Sequence, residues 1–575
     1  MKRYLLPLLT LAAFFSAVVP SLPSEKLMTW SQGRSMVVSQ RGIVASEQAL
    51  ASEAGAAVLA EGGSAADAAV ATSAVMGVMQ PMMNGMGGDL SAIGWDAKTG
   101  KVSGLNASGW APERLTLSYL QSKGLQRIPE TGILSVSVPG CVMGWWELHR
   151  RFGKLPWKDL FTPAIYYASH GFPVGQWDSM YWPAYADVLR ADAEAARIYL
   201  PGGHAPELGQ VFRNPQYARA LELIANEGER VFYDGSITQA IVKTSGELGG
   251  VIKAEDLRDY KAEWVEPIET DYHGWKVFEI PPNSQSVATL EMLNIMAQFP
   301  LATYGAESAQ RFHVEMQAQQ LAYADLRRYV GDPRFVKVPV AGMLSTDYAK
   351  ERSRLIDLDQ ANCSFQPGTP TGTDPKLSAA TPHPDTDTSY LTAVDRDGNI
   401  VSLIQSLAGA FGSGVAVREY GIILQNRATG FTLIPGSPDV LASHKRPFHT
   451  IIPAFMQKGD LHIGFGIMRG GNQPMAQAQF VSDIVDYGMN LQQALEAPRF
   501  NRLGRGTCGY LIESRVPKST LVGLSQLGYD LRLVGPYAEY VGGGQAVLHD
   551  SATGVNYGAS DPRKDGEAIP EPSSQ

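Results

Sequence analysis

Cysteine is nearly absent from this chain: three occur in 575 residues, at Cys141, Cys363 and Cys508. None sits in a Cys-x-x-Cys pair, and the odd count argues against a disulfide framework, so each reads as a small buried or incidental side chain. Histidine is sparse too, ten in all, with no His-Glu-x-x-His spacing, and no metal is expected. There is no Gly-x-Ser-x-Gly elbow. The run Gly464-Phe465-Gly466-Ile467-Met468-Arg469-Gly470 is not a nucleotide loop, because its third glycine falls one residue late. Positive charge is in deficit, 48 Lys and Arg against 57 Asp and Glu, and no basic stripe gathers what there is. That balance excludes nucleic acid as a natural partner. Past the N-terminus, no apolar run is long enough to span a bilayer.

The N-terminus itself carries Lys2 and Arg3 ahead of an apolar run from 5 to 19 that is broken only by Pro7, Thr10 and Ser16. This pattern reads as an export signal over 1–24, which implies a secreted or periplasmic protein. An uncleaved N-terminal membrane anchor is the alternative. No early cysteine offers a lipid attachment point.

Hydrophobic residues make up 44% of the chain, ample for a core, and only the stretch from roughly 356 to 387 looks like a linker. Helical periodicity marks 47–60, 64–79, 145–152, 217–229, 289–299 and 308–329, and Ser64 with Asp67 reads as a cap and third-position acid. Strand patterns at 275–280, 389–394, 400–404, 463–467 and 546–548 are scattered among them, and 84–95 reads as a glycine turn entering a strand. The mixture predicts an α+β fold.

Where the Pro/Thr/Asp-rich stretch ends, Asp387-Thr388-Ser389-Tyr390 begins an apolar strand. The junction reads as a loop exposed enough to be cut, meeting a rigid strand that begins with a hydroxyl. If the Asp387–Thr388 bond breaks, Thr388 becomes a chain terminus whose own amine can act as general base. A two-residue Asp-Gly turn within Asp395-Arg396-Asp397-Gly398 would fold 399–405 back and set Thr388 opposite position 405 to 407. Ser406 then lies beside Thr388, with Cβ atoms roughly 5 Å apart. A plain cross-strand Thr–Ser pair without chemistry satisfies the same pattern.

These segments resemble the small-subunit start of the γ-glutamyltransferases, a family of N-terminal nucleophile hydrolases. The resemblance is carried by Asp387-Thr388-Ser389-Tyr390, Phe411-Gly412-Ser413-Gly414 and Gly421-Ile422-Ile423-Leu424-Gln425-Asn426. It continues at Asn84-Gly85-Met86-Gly87-Gly88-Asp89, Pro281-Pro282-Asn283-Ser284-Gln285, Lys445-Arg446-Pro447, Gly470-Gly471, Ala497-Pro498-Arg499-Phe500 and Gly558-Ala559-Ser560-Asp561-Pro562-Arg563. The resemblance implies an αββα sandwich of two stacked antiparallel sheets between helical layers. It further implies a proenzyme whose large subunit (25–387) and small catalytic subunit (388–575) form a heterodimer, with cleavage between Asp387 and Thr388. Thr388 would be nucleophile and base, Ser406 its supporting hydroxyl, and Gly470 and Gly471 the oxyanion hole. No cofactor is required. The substrate would be a small amide or peptide, and water or an amine would accept the acyl group. An exported binding protein that keeps only the fold is the rival reading.

Substrate recognition departs from the family's pattern. The positions that read a glutamyl group fall on Ser108 (ahead of Trp110), Ala408, Arg427 (after Asn426), Gly430, His449 and Thr450. With Arg427 in place and no acid nearby, a substrate ammonium would be repelled. The family activity on γ-glutamyl amides therefore stands beside an alternative: an acylase or amidohydrolase acting on acidic acyl groups without an ammonium, which Arg427 would grip as a fork. Arg427 pointing to solvent or pairing with Glu419 is the plain alternative, and a nearby arginine such as Arg469 could then fill the missing role.

Overall fold

The computed structural model describes residues 32–375, 377, 387–504 and 506–573. The export signal expected over 1–24 lies outside them. Among the described residues no helix is long and apolar enough to cross a membrane.

Two seven-stranded sheets form the centre. The first runs Glu567–Pro570, Ile43–Ser46, Asp387–Val394, Ile400–Ala408, Asp89–Asp96, Lys101–Ala107 and Glu263–Val265, every neighbour antiparallel. The second runs Val37–Ser39, Val555–Ser560, Gly544–Asp550, Leu461–Ile467, Ala454–Lys458, Trp275–Glu279 and Ile268–Tyr272, also antiparallel. Helices Ala49–Ala60 and Ala65–Met79 share a core with the first sheet, and Val287–Met296, Ala309–Tyr329 and Gln473–Val485 share one with the second. The α+β expectation and the implied stacked-sheet sandwich are both observed.

Small residues set the spacing of these layers. A Cβ at Gly55 would collide with Thr72 of the neighbouring helix, so the two alanine-rich helices approach closely. Ser64 caps the second helix: its Oγ accepts from Asp67 N at 3.1 Å while Asp67 Oδ2 accepts from Ser64 N at 2.9 Å. Between the sheets, a Cβ at Gly466 would strike the Tyr390 ring, so Gly464-Phe465-Gly466 is a strand built for close sheet contact. Strand Asp387–Val394 is buried at every position, between helices on one face and the other sheet on the opposite face. Burial on both faces explains why its apolar and polar positions alternate only in part.

Two expectations need correction. The hairpin turn spans 395–399 rather than two residues, because Asp395 Oδ1 accepts from Asp397 N and Asn399 N, both at 3.0 Å, and this holds a wider loop. Cysteine counting failed outright. Cys363 and Cys508 form a disulfide, their Cα atoms 5.2 Å apart across 145 residues of sequence. Only Cys141 is free, and it is buried. An odd total hides one pair plus one core thiol, and pairing across so long a loop leaves no local spacing to read.

Candidate active site

Strand pairing brings the two hydroxyls together as the hairpin predicted. Asp387 pairs with Ala408 and Ser389 with Gln405, with an irregularity between them, so Thr388 faces Ser406 and Leu407. The junction is not the exposed loop expected: Asp387 is 5% exposed and Thr388 0%. The ladder that positions Thr388 also buries it. Its neighbour Ser389 is locked by Asn84 Nδ2, which donates to Ser389 Oγ at 2.8 Å, and Asn84 Oδ1 accepts from Gln405 Nε2 at 2.7 Å. In the same glycine motif, a Cβ at Gly87 or Gly88 would strike the carbonyl of Ile423 or of Ser406. Only glycine lets that backbone lie against the site.

Ser406 is the hub. Its hydroxyl donates to the Asp387 carbonyl at 2.7 Å and accepts from Ala408 N at 2.8 Å and Arg427 Nη2 at 2.9 Å. Thr388 Oγ1 donates to it from 3.5 Å. A hydroxyl has one proton, and here it is committed to the carbonyl of the Asp387–Thr388 bond. A guanidinium at its lone pair strengthens that donation and polarises the carbonyl carbon.

Arg427 is fully engaged rather than open to solvent. Nη1 donates to Thr450 Oγ1 at 3.0 Å, Nη2 to Ser406, and Nε lies 3.4 Å from Asp89 Oδ2 as an ion pair. Glu419 pairs with Lys243 instead, at 3.6 Å. The expectation that no acid stands near Arg427 is therefore wrong. Asp89 is directly paired with Ser406 across the sheet. Its carboxylate also accepts from Gly109 N and Gln425 Nε2, each at 2.9 Å, and from His449 Nε2 at 2.7 Å. Burial pulls the Arg427 guanidinium down to about 10 against the opposing pull of Asp89. Burial, reinforced by Arg427, holds His449 down at about 4, so its imidazole is neutral near pH 7.

Gly470 and Gly471 open the short turn Gly470–Asn472 ahead of helix Gln473–Val485, so their N–H groups have no acceptor within that helical segment. Gln285, from the proline turn, donates through Nε2 to Gly470 O at 2.7 Å and Thr450 O at 2.6 Å, tying the glycine pair to the Arg427 network. Tyr323 OH donates to Gly471 O.

The remaining candidates are engaged elsewhere. Ser108 Oγ accepts from Asn283 Nδ2 at 3.2 Å, the Trp110 indole donates to Asp256 O at 3.3 Å, and Asn426 Nδ2 donates to Glu130 O at 2.7 Å. A cavity of about 410 Å³ lies at the other end of the hairpin, lined by Trp95, Phe152, Lys154 and Asn399, and contains none of the candidate residues. Asp89, which shapes the site, was missed as a site residue, and a lone acid at the end of a glycine motif was the one available hint of it.

Residues 51–571 match the family described as gamma-glutamyltranspeptidase. The chain belongs to that family. Over 538 residues it is 34% identical to the glutathione hydrolase-like YwrD proenzyme of Bacillus subtilis (strain 168), covering 93% of this chain and 99% of that one. It is 32% identical to the acylase ACY 1 proenzyme of Pseudomonas sp. (strain SE83), covering 95% and 97%. The crystal structure of cephalosporin acylase from Bacillus halodurans superposes with a TM-score of 0.87 at 36% identity, covering 96% and 100%. This member of the gamma-glutamyltranspeptidase family is thus an enzyme with the N-terminal nucleophile hydrolase fold. Position 430 leaves no room for a side chain: a Cβ on Gly430 would lie 2.6 Å from the Phe448 carbonyl.

Proposed function

We propose that the chain is a self-processing threonine-nucleophile amidohydrolase or acyltransferase. The observation that carries this reading is the Ser406 hydroxyl, which donates to the Asp387 carbonyl at 2.7 Å and accepts from Thr388 Oγ1 at 3.5 Å. Thr388 Oγ attacks that carbonyl carbon, the C–N bond breaks and the hydroxyl proton passes to the nitrogen, leaving an ester and a free amine on Thr388. Water then cleaves the ester, giving a carboxylate at Asp387 and restoring the Thr388 hydroxyl. In the mature enzyme this amine takes the hydroxyl proton as Thr388 attacks an amide, then passes it to the leaving amine. The N–H groups of Gly470 and Gly471 receive the oxyanion. Water or an amine acceptor resolves the acyl-enzyme.

As in the family, γ-glutamyl-type amides are the first substrate class. The second reading, an acidic acyl group without an ammonium, draws on the buried Arg427–Asp89 pair and the crowded backbone at Gly430, which leave no acid there for a substrate ammonium.

A denaturing gel tests processing. With reductant, purified protein should give two chains, the smaller beginning Thr-Ser-Tyr. Cys363 and Cys508 lie on opposite sides of the Asp387–Thr388 bond, so without reductant the chains should run as one. A single reduced band refutes processing, and two unreduced bands refute the cross-link.

The disulfide also supports export, since such bonds persist in oxidising compartments. We infer secretion or delivery to the periplasm. N-terminal sequencing of exported material should begin between residues 17 and 26. Intact Met1 on cytosolic protein would count against it, and intact Met1 in the membrane fraction would mark an anchor instead.

A further inference from the structure

In the processing reaction the acyl group is Asp387 itself, so the contacts of its side chain describe an acyl group that this site already holds. Asp387 Oδ1 accepts from Arg469 Nη1 at 2.8 Å. Arg469 is firmly placed: its Nη1 also donates to Tyr181 OH at 3.3 Å, its guanidinium carbon lies 5.4 Å from the Tyr540 ring centre, and Glu539 Oε1 is 4.0 Å away. Its backbone, at φ 108° and ψ 73°, is in the left-handed region that non-glycine residues rarely adopt. This puts the residue that grips the acid immediately before Gly470 and Gly471. Tyr181, Glu539 and Tyr540, which contact Arg469, also line a cavity of about 260 Å³ that Arg469 itself does not line.

The charges around Asp387 point the same way. The second cation is Lys564, whose ammonium lies 3.3 Å from the Trp177 ring centre and whose field reaches Asp387, Glu47 and Glu539. Burial raises the Glu47 carboxyl to about 8, and burial raises Glu539 as well, against the pull of Lys564 and Arg469. Cleavage of the Asp387–Thr388 bond frees Asp387 from Thr388, and its withdrawal makes room for a substrate's acyl group beside Thr388 Oγ. Arg469 and Lys564 then face a position that has lost its carboxylate.

We propose that Arg469 takes the carboxylate of the substrate's acyl group, and that the preferred acyl donors are amides of succinyl type. The length follows from Asp387, whose carboxylate carbon stands three bonds from the acyl carbon. A γ-glutamyl group places its carboxylate one carbon further and brings an ammonium towards two cations. The inference rests on Thr388 being the nucleophile. Thr388 Oγ bonds to the succinyl carbon, the C–N bond breaks, and the hydroxyl proton leaves with the amine. Water then supplies OH to the acyl group and returns a proton to Thr388, so the products are amine and succinate.

The test compares kcat/KM for succinyl, glutaryl, γ-glutamyl and butyryl nitroanilides in wild type and Arg469→Met. The wild type should favour succinyl over uncharged butyryl by roughly 10- to 100-fold, the scale of one charge-assisted hydrogen bond. Arg469→Met should bring the ratio of succinyl to butyryl kcat/KM to within about threefold of one, whatever it does to the absolute rates. Equal losses on succinyl and butyryl, or a wild type that favours γ-glutamyl, overturn the proposal. Arg469 also holds Asp387, and where the variant folds without maturing, wild-type inhibition decides. N-methylsuccinamate should inhibit butyryl hydrolysis at least tenfold more strongly than its uncharged methyl ester, and equal inhibition refutes the site. Failure of the nucleophile reading looks different: Thr388→Ala would keep butyryl hydrolysis.

Discussion

Thr388→Ala should leave one full-length chain on a reducing gel and abolish amide hydrolysis. One oxygen serves both reactions: it attacks the Asp387 carbonyl during processing and the substrate carbonyl afterwards. Loss of a covalent nucleophile costs on the order of 10⁶-fold in kcat where it has been measured in a hydrolase, so residual turnover should fall below detection. Ser406→Ala should act more mildly. It removes the donor 2.7 Å from the scissile carbonyl but spares the nucleophile, and loss of one oxyanion-type donor costs about 10²–10³-fold. Processing should therefore slow and still reach completion, as intact mass followed over time would show. If Thr388→Ala still yields a chain beginning at residue 388, the nucleophile is another group.

What the sequence revealed of this site was what strand pairing and local packing dictate. Thr388 and Ser406 sit on adjacent antiparallel strands joined by a short loop, so the hairpin alone brings them together. The alanine-rich helices and their Ser64 cap were legible for the same reason, because the deciding contacts lie within a few residues. Asp89 was not legible as the partner of Arg427. They sit in different motifs, and only the neighbouring pairing of Asp89–Asp96 with Ile400–Ala408 brings the acid beside Ser406. Cys363 and Cys508 escaped for the same reason. The burial of Asp387 was misjudged because a Pro/Thr/Asp-rich flank signals exposure, while the ladder beginning at Asp387 takes it out of water. Local pattern gave the candidate nucleophile, and long-range pairing set the electrostatics around it.

That pairing leads to the second large expected effect. Asp89→Asn leaves the Arg427 guanidinium, 2% exposed, without its counter-charge. Breaking one side of a buried ion pair costs about 3–5 kcal/mol, far more than an exposed pair contributes. The variant should lose about that much stability in chemical denaturation, measured on the unprocessed Thr388→Ala background so that a single chain unfolds. Adding Arg427→Met should recover most of the loss, because a neutral side chain of similar length no longer needs the acid. The same substitution separates two roles for Arg427. A carboxylate fork for substrate would make Arg427→Met harmful to acidic acyl groups alone. Its three engaged nitrogens, on Ser406, Thr450 and Asp89, predict slower processing and similar losses on every acyl group. A stability change within about 0.5 kcal/mol for Asp89→Asn would mean that Gln425, Gly109 and His449 hold the site without the charge, and that Arg427 is available to substrate after all.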